Sequence, residues 1–331
     1  MHVLKPGISV VIPNYNGIGL LPEILPTVFN ALQEQGLAHE VIVSDDCSTD
    51  ASVSWLEAHY PMVHIIKNPV NRGFSPTINA GIFASQYAFI LLLNSDVKLS
   101  RDYFSRLIPY MDDPDCFGVM GRIVGWDDDI MQDAAKYPTF HGAKIKTSGN
   151  YYMAEPSGHD RLYSMYLSGA NAFVSAEKIR MMGGFNELFA PYYVEDFELS
   201  LRAWRLGWAC YYEHGAVCRH RLSVTIKSKS SKAAINTVYY RNKMFMHSIH
   251  LDGWLRVAWH LQLIPETMIR LLSGRFYYLK SLSYFFSHQN EVRKARQGFL
   301  ALAIQTGRKY SVKDVVKRIH LSVSGKQIKR F

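Results

Sequence analysis

AFILLLNSD, residues 88–96, places an amide, a hydroxyl and a carboxylate directly after six apolar residues. A continuous apolar run of that length suits a strand buried on both faces, as in a parallel sheet covered by helices. In an open sheet of this kind, ligands bind beyond the carboxyl ends of the strands. Asn94, Ser95 and Asp96 therefore stand where a ligand would be. Asp96 can offer a hard oxygen to Mg2+ or Mn2+. Taken alone, the triplet also matches any strand end with an aspartate in the following turn.

Working outward, short apolar strands alternate with helical patterns. Residues 8–12 (ISVVI) form a strand stopped by Pro13-Asn14. Residues 22–35 read as a helix, with a proline in its first turn and Gly36 as its stop. Residues 40–44 and 63–67 are strands, and Ser48 or Thr49 caps a helix between them. Ser75-Pro76 opens another helix as cap and first-turn proline. Residues 117–124 are the next strand. The expected fold class is α/β, with a Rossmann-like, mostly parallel central sheet flanked by helices. Residues 125–161 carry no clear period and read as an irregular insertion with room for a hairpin. Residues 165–175 are strand-like, and 195–206 read as a helix closed by Gly207.

Charge divides the chain. Residues 1–218 hold 15 Lys+Arg against 24 Asp+Glu, whereas 219–331 hold 22 against 4. The expected organisation is a catalytic domain over 1–222, a basic joint over 223–232 and a basic amphipathic helical region over 233–331. Helices are expected at about 233–250, 252–272, 275–287, 290–306 and 311–321. Their Trp, Tyr and Phe residues alternate with Lys and Arg, which suits a helix in a membrane interface. An ordinary packed layer, or a homodimer interface, fits the same composition. No stretch reaches the length of a membrane span. No helix-turn-helix, zinc-finger or RNP pattern points to nucleic acid. Four scattered cysteines and the lack of a leader-like start point to a reducing cytoplasm.

Further polar groups recur at strand ends and helix starts. Asp45 and Asp46 follow a strand as adjacent carboxylates, an arrangement that costs energy unless something bonds or neutralises them. Arg72, Gly73 and Asn79 form a loop and helix start able to approach a ligand. Glu195, Asp196 and Glu198 open a helix, where the dipole favours carboxylates in any case. Asp196 could serve there as a general base if its surroundings raise its pKa. His220 follows a strand just before the basic joint, and a lone histidine is more often structural than a ligand.

In this order the motifs resemble the family-2 inverting glycosyltransferases of the GT-A fold, in a rhamnosyltransferase-like branch. VVIPNYNG is similar to the family's opening strand and loop, which implies that Pro13 and Tyr15 lie by the donor nucleotide. VSDDCSTD resembles V-D-D-G-S-T-D, implying that Asp45 reads a pyrimidine base. NRGFSPTINAG resembles the segment that brings Arg72, Gly73 and Asn79 to the nucleotide. LLLNSD resembles the D-x-D motif, with Asn94 in place of the first carboxylate, and YYVEDFELS resembles the acceptor-side block. The resemblance implies Asp96 and His220 as metal ligands, Asn94 and Ser95 beside the donor, and Asp196 as the catalytic base. It implies a UDP- or dTDP-sugar donor, a divalent metal (Mg2+ or Mn2+) and a glycan acceptor, and the basic amphipathic tail suits a lipid-linked glycan at the inner membrane face. The Q-x-x-R-W motif of processive synthases is absent, so one sugar per encounter is expected. The missing first carboxylate leaves a rival reading, a degenerate domain that binds without turnover.

Overall fold

The carboxyl ends of three parallel strands meet along one edge, because the register sets Asn14 beside Asp45 and Val11 beside Leu92. The computed structural model describes residues 4–155, 160–221 and 231–331. Its first half comprises β1 (Lys5–Asn14), α1 (Leu21–Gln35), β2 (His39–Asp45), α2 (Ser52–His59), β3 (His64–Lys67), α3 (Phe74–Ala84) and β4 (Tyr87–Leu93). These four strands pair in the order β3-β2-β1-β4, all parallel. The apolar runs explain the arrangement: Ile8, Val10, Val11, Ile12 and residues 90–93 have no exposure, sandwiched between helices. Burying each such side chain stabilises the fold by about 1.5–3 kcal/mol.

The second half contains β5 (Val97–Leu99), α4 (Tyr103–Leu107), β6 (Cys116–Gly125), β7 (Met131–Asp133), β8 (Ala135–His141), β9 (Lys144–Met153), β10 (Leu162–Tyr163), β11 (Asn171–Ser175), α5 (Ala176–Met181), α6 (Glu195–Arg205) and β12 (Ala209–His220). It inserts a reversed strand, β11, antiparallel to both β4 and β6, and resumes the direction of β1–β4 in β6 and β12. The central sheet is mostly parallel, as its apolar runs imply.

Local chemistry moved several expected boundaries. The strand expected over 165–175 is β11 alone, and residues 164–170 form a loop that reaches the cavity described below. Helix α2 begins at Ser52, and the Ser48 hydroxyl instead bonds Asp45 at 2.6 Å. Helix α3 begins at Phe74, with Gly73 before it and no side-chain cap. Within the patternless insertion, the hairpin it had room for is β8–β9, turning at Gly142 (φ 61°).

The C-terminal region adds α7 (Lys232–His250), α8 (Gly253–Leu272), α9 (Tyr277–Ser287), α10 (Gln289–Gln305), α11 (Val312–Ser322) and β13 (Ile328–Arg330). Most of the basic joint expected at 223–232 lies outside the described residues. Strand β13, which no sequence pattern announced, completes a three-stranded sheet by pairing with β9. A buried ionic network fastens these helices to α6. Arg205 pairs with Asp252 and donates to the His250 carbonyl at 2.6 Å, and Asp252 also accepts from Arg296 at 2.6 Å. Among the described residues no helix is long and apolar enough to cross a membrane.

Candidate active site

The adjacent carboxylates at the end of β2 are both tied into the loops around them. Asp45 accepts from the Asn14 amide at 2.8 Å and from the Ser48 N–H at 2.9 Å. Asp46 accepts from the backbone N–H of Arg72 at 2.9 Å and of Gly73 at 2.8 Å, and from the Asn68 amide at 3.0 Å. The like charges thus face different donors, and Asp46 shapes the 71–73 loop. Gly73 has φ 86°, and a Cβ there would stand 2.8 Å from the Pro191 Cα, so this crossing requires glycine. Pro13 is half-buried on β1, and Tyr15 is 36% exposed at the mouth of the same edge.

Asn94, Ser95 and Asp96 are half-buried between β4 and β5. His220, the last residue of β12, brings its Nε2 to 3.6 Å from the Asp96 carboxylate. The pairing of β12 with β5 sets His220 opposite Val97, which makes this approach a matter of register. The other ring nitrogen, Nδ1, lies 3.0 Å from the Gln132 side-chain oxygen. A histidine oriented in this way presents Nε2 as a ligand atom, with the amide as its outer partner. Atoms bound to adjacent positions of one Mg2+ or Mn2+, with bonds of about 2.1 Å, stand about 3 Å apart. The Asp96–His220 pair is close to that spacing. Among the described residues no third His, Cys, Asp or Glu joins it. Such a pair fits an ion whose other ligands are phosphate oxygens and water.

Asp196 sits in the first turn of α6, on the wall of a cavity of about 380 Å³ whose lining also includes Asn94, Gln132, Asp133, Glu195 and His220. Burial raises the Asp196 pKa, while the Phe197 N–H, the Lys136 cation and the Gly169 N–H oppose the rise. Glu195 is pushed up to about 8 by burial and then by the Asp196 charge. Lys136, on β8, is pulled down to about 8 by burial against the pull of Asp196; it pairs with Asp133 and donates to Asn150 at 2.8 Å. A carboxylate with a raised pKa, facing a cavity, can accept a proton near neutrality.

The chain enters α6 through Tyr193 (φ 75°) and Val194 (φ 73°), both left-handed without being glycine. A β-branched residue there costs about 1–3 kcal/mol, which the surroundings must offset. Asn242 of α7 supplies part of the offset, donating to the carbonyls of Phe189 (2.7 Å), Tyr192 (3.1 Å) and Tyr193 (2.8 Å).

Two expected ligand residues face elsewhere. The Asn79 amide is committed to Phe185, donating to its carbonyl at 2.9 Å and accepting from its N–H at 2.8 Å. Arg72 pairs with Glu187 at 2.9 Å on the surface. Sequence reasoning passed over Gln132, Lys136 and Asn242. The first two lie in a stretch without period. Asn242 had one legible sign, a short polar residue followed by MFMHSIH on a buried helix face.

The model of glycosyl transferase family 2 matches residues 9–173. Succinoglycan biosynthesis protein ExoO of Rhizobium meliloti is 34% identical over 108 residues, 32% of this chain and 30% of that protein. An undecaprenyl-phosphate 4-deoxy-4-formamido-L-arabinose transferase of an Enterobacter species is 32% identical over 120 residues, 35% of this chain and 36% of that protein. The chain thus spans about a third of the length of these curated relatives. The crystal structure of GalNAc-T7 with UDP, GalNAc and Mn2+ superposes with a TM-score of 0.67 at 12% identity, covering 96% of this chain and 57% of that one.

Proposed function

Because the chain belongs to glycosyl transferase family 2, we propose that it transfers one sugar, with inversion, from a UDP- or dTDP-sugar to a hydroxyl of a glycan or lipid-linked glycan. The observation that carries the reading is the single cavity on which Asn94, Asp196 and His220 converge from three distant parts of the chain. The UDP and Mn2+ bound by GalNAc-T7 support the donor class and the metal. The names of the curated relatives support an acceptor in cell-envelope glycan synthesis.

In this reading Pro13, Tyr15 and Asp45 flank the donor base, and the backbone of the 71–73 loop, held by Asp46, closes the nucleotide side. Asn94 and Ser95 face the sugar. Asp96 and His220 hold Mg2+ or Mn2+. When bound, the ion supplies positive charge to the departing diphosphate. Asp196 takes the proton of the acceptor hydroxyl, whose oxygen bonds to the anomeric carbon as the bond to the diphosphate breaks. Attack from the face opposite the leaving group inverts the centre. The catalytic domain occupies 1–222, and the helical region after the basic joint rests peripherally on the inner membrane face.

The test is binding and slow hydrolysis of UDP- and dTDP-sugars, each with and without Mn2+. Metal-dependent stabilisation with donor turnover is the expected result. A chain that binds donor but never turns it over, with or without acceptor, would return the degenerate-binder reading to first place.

A further inference from the structure

A second cavity, of about 300 Å³, lies between β9, α7, α8 and α9, and the proposed reaction does not use it. Lys144, Lys146, Lys243 and Arg270 line it, with Glu266 as the one carboxylate. Glu266 pairs with both Lys144 and Arg270, so four cations share one counter-charge. Three polar atoms of its lining residues, Trp259 Nε1, Arg270 Nη1 and Glu266 Oε2, lie buried beneath the cavity surface. An anion with several acceptor oxygens entering the cavity would meet the lysine and arginine side chains that line it. Burial and the charges of Arg270, Lys243 and Lys146 push the Lys144 amine down to about 7, a crowding that an anion would relieve.

The cavity adjoins the candidate active site. Tyr239 lines it and packs edge-on against Tyr193, which lines the Asp196 cavity, with ring centroids 6.2 Å apart. Helix α8 contributes Trp259, Leu263, Glu266 and Arg270 to the lining. Its opposite face is apolar and bare: Trp254, Val257, Leu261, Ile264, Met268 and Leu272 recur at helical spacing, with Trp254 75% and Leu272 88% exposed. Helix α8 therefore turns Arg270 and Glu266 towards a cavity whose lysines come from β9 and α7, and carries an uncovered apolar stripe on its outer side. That pairing complements an amphiphile with a phosphate head and a hydrocarbon tail.

We propose that this cavity binds the phosphate or diphosphate of a lipid-linked acceptor, with the outer face of α8 seated in the lipid layer that carries its tail. The assignment rests on the transferase reading and gives its acceptor a site. The Tyr239–Tyr193 contact then sets the distance from the lipid phosphate to the hydroxyl that Asp196 deprotonates.

The full chain, saturated with UDP and Mn2+ to occupy the donor site, is titrated calorimetrically with farnesyl diphosphate, farnesol and inorganic diphosphate. Farnesyl diphosphate is expected to bind at least tenfold more tightly than either of its parts. The Lys146→Gln/Lys243→Gln variant is expected to weaken it at least tenfold, and so is the surface variant Trp254→Ser/Leu272→Ser, while UDP affinity and Tm stay unchanged. Equal binding of inorganic diphosphate, insensitive to the surface variant, would mark a site for a free phosphate and overturn the lipid assignment. Farnesyl diphosphate binding that survives the lysine variant would overturn the cavity itself. Either failure with UDP binding intact leaves the transferase reading standing, whereas loss of UDP binding in the unmutated chain removes that reading.

Discussion

Asn242 of α7 donates its side-chain amide to the carbonyl of Tyr193 at 2.8 Å, and so reaches the loop that delivers Asp196. The C-terminal region is thereby part of the architecture of the candidate active site. Asn242→Ala withdraws a donor from three carbonyls and is expected to cost about 1–3 kcal/mol. The backbone at Tyr193 and Val194 would then relax from its left-handed conformation. A lower Tm, and at least a tenfold loss of kcat with donor affinity kept, is the expected result. A variant that loses Tm but keeps kcat would show that the clamp serves stability alone.

Asp196→Asn keeps the shape of the cavity wall and removes the proposed proton acceptor. Turnover is expected to fall by about 10²–10⁴-fold, the usual contribution of general-base catalysis, with donor binding retained. Single-turnover kinetics alongside donor titration separate the two effects.

Glu195 and Asp196 both have pKa values raised by burial, and the Asp196 charge raises the Glu195 value further. A base works when deprotonated, so the rate climbs with pH through its pKa. Glu195 stays protonated while Asp196 ionises, so Glu195→Gln is expected to leave the acidic limb of the kcat/KM profile in place. For stability the sign is opposite to that of an ordinary paired carboxylate. A raised folded pKa means that ionising Glu195 destabilises the fold, so the relative stability of Glu195→Gln should grow as pH rises from 4.5 to about 8 and level off above it. A limb that moves to lower pH would show that Glu195 is already charged while Asp196 ionises.

Gln132 holds the His220 ring by the nitrogen that does not face Asp96. Gln132→Leu frees the ring to rotate and is expected to weaken Mn2+ affinity by about 10–100-fold, as loss of an outer-shell partner does. Titrating Mn2+ against donor binding measures it. Unchanged affinity would remove His220 from the metal shell.

Glu198 and His250 make a fully buried pair, 3.0 Å apart, joining α6 to the end of α7. Burial holds His250 down to about 4, and Arg202 with His250 holds Glu198 below its usual range in spite of burial. Both depressed values act in the same direction: stability is full above the unfolded histidine value of about 6.5 and is lost as pH falls through 4. Tm should therefore drop steeply between pH 6.5 and 4, and less steeply in His250→Gln. Equal slopes would place the acid sensitivity elsewhere.

Much of the fold could be read from local pattern. The apolar run at 88–93, the glycine stop at 36 and the helical periods after 232 each lie within one element, where side-chain spacing and backbone preference act over a few residues. The five C-terminal helices accordingly fall within two residues of their expected bounds. The roles within the site were less legible. Asp46 looked like a spare charge until the loop at 71–73 folded over it, and Asn79 looked like a ligand until Phe185 took both ends of its amide.

By itself the sequence determined the α/β class, the strand ends at which polar groups gather, and the helical nature of the tail, because hydrophobic period and capping are local properties of the chain. Only the tertiary structure decided that Gln132 would orient His220, that Lys136 would temper Asp196, and that a helix more than forty residues later would hold the Asp196 loop. Those contacts depend on sheet register and on how the last helices dock, and both are settled by packing between distant segments that no window of sequence contains.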